Sequence, residues 1–196
     1  MTGRDGGALT PQGNTPVVIL VRPQLADNIG AVARAMGNGG LFHLRLVAPR
    51  DGWPQPAAWR NASGADRILD ELTLHDTVAD AVADLHHVFA TCPRPRHIIK
   101  PVLTARGAAT ELRAITARAL RAGLLFGPER AGLDNDDMAC CDALIRYPLN
   151  PDFMSLNLAQ AVMVMAYEWW TATDETMPRT LTVSYTHLTL PTNREV

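Results

Sequence analysis

The chain has 196 residues, of which 47% are hydrophobic and 19% are charged, and its formal net charge is −2. This length suits one well-buried domain and is too short for two ordinary ones, and the composition is typical of a globular protein. A net charge near zero excludes binding of nucleic acid by overall charge. Any such contact must come from a local basic patch or from a surface assembled by oligomerisation.

Membrane and secretory features are missing from the sequence. Arg, Asp, His or Pro interrupts every apolar run before it reaches membrane-spanning length, and residues 1–14 lack the apolar core of a signal peptide. Cys92, Cys140 and Cys141 are odd in number and have no metal-knuckle spacing. We therefore expect a reducing, cytoplasmic location and no association with a membrane.

Strand and helix patterns alternate along the first half of the chain. An apolar, β-branched run at 16–21 predicts a buried strand, and Asp27 or Asn28 is expected to cap the next helix, which ends at the glycine-rich 37–40. The following pattern predicts, in order, a strand at 43–47, a loop at 49–60, a short helix at 65–69, a short strand at 72–74, a helix at 78–85 and a strand at 88–91.

The alternation continues in the second half. A basic loop is expected at 93–100, and Thr110 is expected to cap a helix that runs to Arg121. Ser155 is predicted as the N-cap of a final helix at 155–170, with Asn157 as a buried amide in its first turn. Between these helices the pattern predicts a strand at 124–126, a loop at 127–134, a short helix at 135–140, a strand at 143–148 and a loop at 149–154.

This order of elements predicts one α/β domain with a mostly parallel sheet flanked by helices. We expect the domain to cover residues 16–172, with disordered segments at 1–15 and 173–196, and we interpret the sequence from about residue 181 as non-native, cloning-derived sequence. The final helix is apolar nearly all round, so it is either central in the domain or covered by a second subunit. We favour a homodimer.

Several familiar site signatures are missing. No predicted strand is followed by G-x-G-x-x-G, and there is no P-loop, HExxH or nucleophile elbow. His86 and His87 begin a strand and are interpreted as part of the fold. Asp134, Asp136 and Asp137 surround a predicted helix N-terminus, where carboxylates are favourable, so no metal site is predicted.

Polar and glycine-bearing segments do, however, follow several predicted strands. Ligands of open α/β sheets bind beyond the carboxyl ends of the strands, so these segments are expected to converge at one edge. Each polar residue also has an ordinary structural explanation. Asn28 and Ser155 suit helix caps, while Arg34 and Glu129 suit exposed surface charges.

Three ordered motifs favour the functional interpretation. NIGAVARAMGNGG at 28–40, LLFGPERAGLDNDD at 124–137 and YPLNPDFMSLNLAQAVMVMAYE at 147–168 resemble the motifs of the SPOUT superfamily of RNA methyltransferases. Within it the chain is similar to the TrmH-like 2′-O-ribose branch, and most of all to TrmJ-type tRNA enzymes, over about residues 17–170. The resemblance implies an α/β fold with a C-terminal trefoil knot, a homodimer, and S-adenosyl-L-methionine as cofactor.

The same resemblance implies methylation of a ribose 2′-hydroxyl in RNA, foremost a cytidine or uridine of the tRNA anticodon loop, of the position-32 type. Other structured RNA, including ribosomal RNA, is an alternative substrate. A non-catalytic RNA-binding SPOUT-fold protein is a second alternative. A third is an α/β protein that binds a different nucleotide.

The resemblance also assigns site residues. The catalytic positions of the family fall on Asn28, Arg34, Glu129, Ser155 and Asn157. The cofactor-binding positions fall on Thr91, Cys92, Pro93, Gly127, Tyr147, Met154, Ser155 and Leu156, of which 91–93 departs from the small, polar segment usual in the family. Exposed cations are the candidates for RNA binding, namely Arg34, Arg60, Arg94, Arg96 and Lys100.

Overall fold

The computed structural model describes residues 13–92 and 99–173. Within these residues the chain forms seven strands and seven helices. The strands are Val17–Val21 (β1), His43–Val47 (β2), Thr73–His75 (β3), His87–Thr91 (β4), Val102–Thr104 (β5), Ala122–Phe126 (β6) and Ala143–Arg146 (β7). The helices are Ala26–Asn38 (α1), Pro56–Ala62 (α2), Asp66–Asp70 (α3), Val78–Val82 (α4), Ala105–Ala117 (α5), Asn135–Ala139 (α6) and Leu158–Thr171 (α7).

The strands form one sheet in the order β3-β2-β1-β6-β4-β7-β5, and every neighbouring pair is parallel. The predicted α/β fold with a parallel sheet is confirmed. All seven carboxyl ends therefore lie along one edge. Strand order changes direction between β1 and β6, and such a switch point opens a crevice at the carboxyl edge.

Helices cover both faces of the sheet, as buried parallel strands require. Successive residues of β1 face opposite sides: Val18 and Leu20 belong to one apolar cluster, whereas Ile19 and Val21 belong to the other. The first cluster contains the buried residues of α1, α5 and α7, and the second contains those of α4 and α6. The sheet thus holds α1 and α7 on the same side.

Close backbone contact fixes α1 against α2. A Cβ atom added to Gly30 would lie 2.0 Å from the carbonyl oxygen of Ala58, so only glycine permits this approach. The Asn61 amide of α2 also donates a hydrogen bond to the Asp27 carboxylate of α1. These contacts hold the amino end of α1 in place at the carboxyl edge of the sheet.

The expected boundaries are wrong at the first two helices. The N-cap of α1 is Leu25, which has no side-chain capping bond, instead of Asp27 or Asn28. Residues 56–62 form α2 where a loop was expected. Pro56 is compatible with this helix because it lies in the first turn, where a backbone N–H would have no partner within the helix.

The structure also differs from the sequence prediction at the start of α5 and at β5. Thr104 caps α5 by accepting a hydrogen bond from the N–H of Gly107 at 3.1 Å, whereas Thr110 lies inside the helix and donates to the carbonyl of Arg106. Strand β5, which has three residues, was not predicted.

Two residues just before β1 contact the rest of the fold. The Asn14 amide donates to the carbonyl of Leu120 at 2.8 Å, and Thr15 is buried, so both belong to the folded part. The remaining expectations of disordered or non-native ends concern residues 1–12 and 174–196, which lie outside the described residues. In the described part no helix is both long and apolar enough to cross a bilayer.

An ion-pair cluster at the opposite, amino edge of the sheet predicts a pH dependence of stability. The Asp84 carboxylate accepts hydrogen bonds from Arg45 at 2.6 and 2.9 Å. It also forms an ion pair with Arg121 at 2.6 Å. The hydrogen bond from Arg45 is the largest cause that lowers the pKa of Asp84 from 3.8 to about 2. Since the folded-state pKa is depressed, the stabilisation is present above the unfolded pKa and is lost as pH falls through about 4 to about 2.

We therefore expect Asp84→Asn to lower the free energy of unfolding by about 1 kcal/mol at pH 7, a value discounted for solvent exposure. Urea unfolding at several pH values would measure the difference from the unmodified chain, which should shrink below about pH 4. Asp76→Asn, an exposed change without an ion pair in the described part, is the control. An equal deficit at every pH would contradict this account.

Candidate active site

Side chains from three distant segments meet at the carboxyl edge of the sheet. Glu129 accepts a hydrogen bond from the Asn28 amide at 2.8 Å and another from the backbone N–H of Gln24 at 3.0 Å. The Asn157 amide in turn donates to the Asn28 side-chain oxygen at 3.0 Å. We call Gln24, Asn28, Glu129 and Asn157 the polar network. It joins the start of α1, the loop after β6 and the start of α7.

Asn157 is the N-cap of α7, so the prediction of Ser155 as the cap is wrong. The Asn157 side-chain oxygen accepts from the N–H of Ala159 at 2.8 Å, and Gln160 accepts from the N–H of Asn157 at 3.1 Å, which completes a capping box. The helix therefore begins at Leu158, three residues later than predicted. Asn157 is also exposed instead of buried.

A cavity of about 560 Å³ opens beside the polar network. Its walls come from the segments that follow β4, β6 and β7. All the predicted cofactor residues that the structure describes line it: Thr91, Cys92, Gly127, Tyr147, Met154, Ser155 and Leu156. Pro93 lies outside the described residues. Glu129 belongs both to this wall and to the polar network.

Two side chains connect the cavity wall to the fold beneath it. The Tyr147 hydroxyl donates to the carbonyl of Ala161 in α7 at 2.8 Å, and burial raises the pKa of this phenol, which therefore stays neutral. The Thr91 hydroxyl donates to the carbonyl of Leu125 in β6 at 3.1 Å. The wall is thus tied to rigid elements on two sides.

The loop after β6 turns back on itself at Gly127. A Cβ atom there would lie 2.3 Å from the backbone nitrogen of Leu133 and 2.5 Å from the carbonyl carbon of Gly132. The N–H of Gly132 donates to the carbonyl of Pro128, which closes the turn. Glycine at 127 is therefore required for the compact loop that presents Glu129.

Arg22 holds the end of the loop after β6 and was not identified as a site residue in the sequence analysis. Its guanidinium donates to Asp137 at 3.1 Å and to Asp134 at 3.0 Å. Asp134 is the N-cap of α6, and the hydrogen bond from the N–H of Asp137 is the largest cause that lowers the Asp134 pKa. These carboxylates are occupied by capping and by an arginine, and the described residues contain no cluster of groups arranged to hold a metal ion.

Residues 15–167 match the family model described as the SpoU rRNA Methylase family. The chain belongs to this family. The tRNA (cytidine/uridine/adenosine-2′-O-)-methyltransferase TrmJ of Pseudomonas aeruginosa (strain UCBPP-PA14) is 40% identical over 151 residues, which cover 77% of this chain and 58% of that protein. TrmJ of Citrobacter koseri is 38% identical over 81% of this chain and 65% of its own length. The SpoU-family chain thus spans about 58–65% of these two relatives.

Solved structures give the same relationship. The crystal structure of TrmJ from Z. mobilis ZM4 is 54% identical, with a TM-score of 0.76, and the match covers 84% of this chain and 73% of that one. The A. aeolicus TrmH/SpoU tRNA modifying enzyme is 14% identical with a TM-score of 0.66, so it shares the fold. The predicted membership of the SPOUT superfamily and the α/β fold with a parallel sheet are confirmed.

Arg34 is separate from the cavity. It lies six residues beyond Asn28 along α1, a rise of roughly 9 Å, and its side chain is exposed. It is not among the residues that line the cavity, and no acid of the described ranges forms an ion pair with it. Of the five predicted catalytic residues, the structure therefore brings Asn28, Glu129 and Asn157 together and places Ser155 on the cavity wall.

The predicted RNA-binding cations differ in their environments. Arg60 is exposed on α2. Lys100 is engaged within the fold, because its ammonium donates to the carbonyls of Ala139 and Cys141 at the end of α6, where a cation is favourable. Arg94 and Arg96 lie outside the described residues.

Proposed function

We propose that this chain catalyses transfer of a methyl group from S-adenosyl-L-methionine to a ribose 2′-hydroxyl of tRNA, with a cytidine or uridine of the anticodon loop as the target. One observation carries the proposal: Glu129 joins the cavity to the polar network, so ligand space and hydrogen-bonding groups adjoin. The TrmJ relatives, named as tRNA 2′-O-methyltransferases, support the substrate class. Because the chain covers only part of their length, its activity and RNA substrate are proposals.

The cavity fits a nucleoside-sized cofactor. Its volume of about 560 Å³ lies in the usual range for small-molecule sites. Leu156, Met154 and Tyr147 supply apolar surface, while Gly127 permits the compact turn of the loop that forms another wall. S-adenosyl-L-methionine, when bound, supplies an already activated sulfonium methyl. The protein then has to orient the ribose oxygen, exclude water and assist loss of one proton.

Arg34 is assigned to the substrate side of the site. An arginine side chain stays protonated near neutral pH and is a poor proton acceptor, but it binds phosphate through paired N–H groups. We therefore propose that Arg34 holds the phosphate next to the target ribose and stabilises negative charge as the hydroxyl loses its proton. Ser155 contributes a hydroxyl to the cavity wall. The Asn157 amide, which is hydrogen-bonded to Asn28, orients the ribose.

A homodimer belongs to the same proposal. Met163, Tyr167 and Trp170 are spaced by four and three residues on α7, and they are 36%, 57% and 47% exposed. Residues at this spacing share one helix face, and an apolar face of this kind is suited to a second copy of the chain. The trefoil knot implied by the family resemblance stays a prediction. A cytoplasmic location agrees with the tRNA substrate and with cysteines that form no disulfide.

Methyl transfer can be tested directly. Purified chain is incubated with methyl-labelled S-adenosyl-L-methionine and either bulk tRNA or ribosomal RNA, and the modified nucleoside is identified by mass spectrometry. We expect label in tRNA as 2′-O-methylcytidine or 2′-O-methyluridine. Label in ribosomal RNA alone would show that ribosomal RNA, and not tRNA, is the substrate. Binding of RNA without transfer would favour a non-catalytic protein, and preference for ATP or NAD over the methyl donor would favour another nucleotide.

Binding of tRNA is expected to weaken steeply with salt, because phosphate contacts release counterions. Loss of one phosphate contact should reduce the magnitude of the slope of log K for tRNA binding against log salt by about 1. We expect a reduction of this size in Arg60→Ala. Titrations between about 50 and 200 mM salt would measure it. Arg118→Ala, which removes an exposed arginine after α5 at the opposite edge of the sheet, is the control. A flat salt response would contradict the proposed RNA surface.

A further inference from the structure

The polar network has only one possible direction of hydrogen bonding. Its two ends are backbone N–H groups, which can only donate. Gln24 donates to one oxygen of Glu129, and Ala159 donates to the side-chain oxygen of Asn157. Because the Asn157 oxygen is used, its NH₂ group must face Asn28. Asn28 must then accept with its oxygen and donate with its nitrogen to the second oxygen of Glu129.

Both carboxylate oxygens of Glu129 therefore face N–H donors. The Asn28 side chain is likewise engaged at its oxygen and its nitrogen. The NH₂ groups of Asn28 and Asn157 each use one of their two hydrogens within the described part of the chain. The two residues differ in exposure, because Asn28 is half-buried whereas Asn157 is exposed. Since Asn157 is exposed, the second N–H is available to an oxygen of a bound molecule.

We propose that Glu129 and Asn28 form a positioning pair that orients the Asn157 amide, and that Asn157 alone of the three donates to the substrate ribose or its phosphate. This inference rests on the proposed methyl transfer and deepens it. Neither Glu129 nor Asn28 exchanges a proton with the 2′-hydroxyl. The carboxylate stabilises the pair because it accepts on both oxygens, which a neutral amide cannot do.

An exchange of the two side-chain types tests the pair. In Glu129→Gln the new NH₂ group must face either the Gln24 N–H or the Asn28 NH₂ group, so a donor meets a donor. In Asn28→Asp two carboxylates face each other. Together the changes restore every bond: the amide at 129 accepts from Gln24 and donates to the carboxylate at 28, which still accepts from Asn157.

We expect each single variant to lose about 10²-fold or more in kcat, as when one preorganised donor is lost from an active site. The double variant should return to within about tenfold of the unmodified chain. The KM for tRNA and calorimetric binding of S-adenosyl-L-methionine should change little throughout. The urea midpoint should fall in both single variants and recover in the double variant. Glu111→Gln, an exposed change on α5, should alter none of these quantities.

Two results would overturn the pair. A double variant that regains the urea midpoint but stays as inactive as Glu129→Gln would mean that one of these side chains acts on the substrate itself. A midpoint that does not recover would mean that the pair does not form. If the unmodified chain methylates no RNA while the midpoint recovers, the proposed function fails and the positioning pair is supported on its own.

Discussion

Arg34→Ala should abolish methyl transfer, with a loss of about 10³-fold or more, while affinity for S-adenosyl-L-methionine stays within about twofold. The size of the expected loss follows from the cost of removing an arginine that stabilises negative charge in a transition state. The unchanged affinity follows from its position, because Arg34 is exposed on α1 and is not part of the cavity wall. Single-turnover methyl transfer and calorimetric titration of the cofactor would measure the two quantities.

Arg118→Ala is the matched control for loss of one exposed arginine, since it lies at the end of α5 and at the other edge of the sheet. It should retain the activity of the unmodified chain. If Arg34→Ala instead lost cofactor binding or its urea midpoint, Arg34 would be a structural residue. If Arg34→Ala kept its activity, the phosphate contact would have to come from another cation.

Gly127→Ala should remove cofactor binding, with a loss of affinity of about 10²-fold or more, and should lower the free energy of unfolding by about 2–3 kcal/mol. The added methyl would lie 2.3 Å from the nitrogen of Leu133 and 2.5 Å from the carbonyl carbon of Gly132. These are backbone atoms, so the clash cannot be relieved by rotating a side chain, and the loop must open. Calorimetric titration with S-adenosyl-L-methionine and urea unfolding would measure both effects.

Gly107→Ala provides the matched control for a glycine-to-alanine change. A Cβ at Gly107 meets its nearest neighbour, the Thr104 hydroxyl, at 3.4 Å, and alanine is favoured over glycine in a helix such as α5. Its stability and cofactor affinity should be equal to or above those of the unmodified chain. Tight cofactor binding by Gly127→Ala would show that the loop after β6 does not form the binding wall.

Strands were predicted well because burial is visible in local sequence. The β-branched run that forms β1 and the alternation that forms β2 are apolar patterns whose period identifies a strand without knowledge of its neighbours. Helix starts were predicted poorly where several capping residues lie close together. Asn28 suits a cap by residue type, but the structure uses it to bond Glu129 and Asn157, and α1 begins at Ala26 without a side-chain cap.

The residues of the candidate site were predicted from the sequence, but the hydrogen bonds between them were not. Ordered motifs identified Asn28, Glu129 and Asn157, yet their mutual hydrogen bonds join residues 101 and 129 positions apart, which local patterns do not encode. Gln24 contributes only its backbone N–H, so its residue type carries no signal. Arg22, with φ of 48°, was missed because its partners Asp134 and Asp137 suit ordinary helix caps.

The wide spacing of the polar network has a consequence for biosynthesis. Gln24 and Asn28 leave the ribosome more than a hundred residues before Glu129, and Asn157 follows later still. A growing polypeptide therefore cannot form the polar network until nearly the whole described domain has emerged. Under the proposed function, methyl transfer measured during in vitro translation would come from completed domains, and prematurely terminated chains would contribute none.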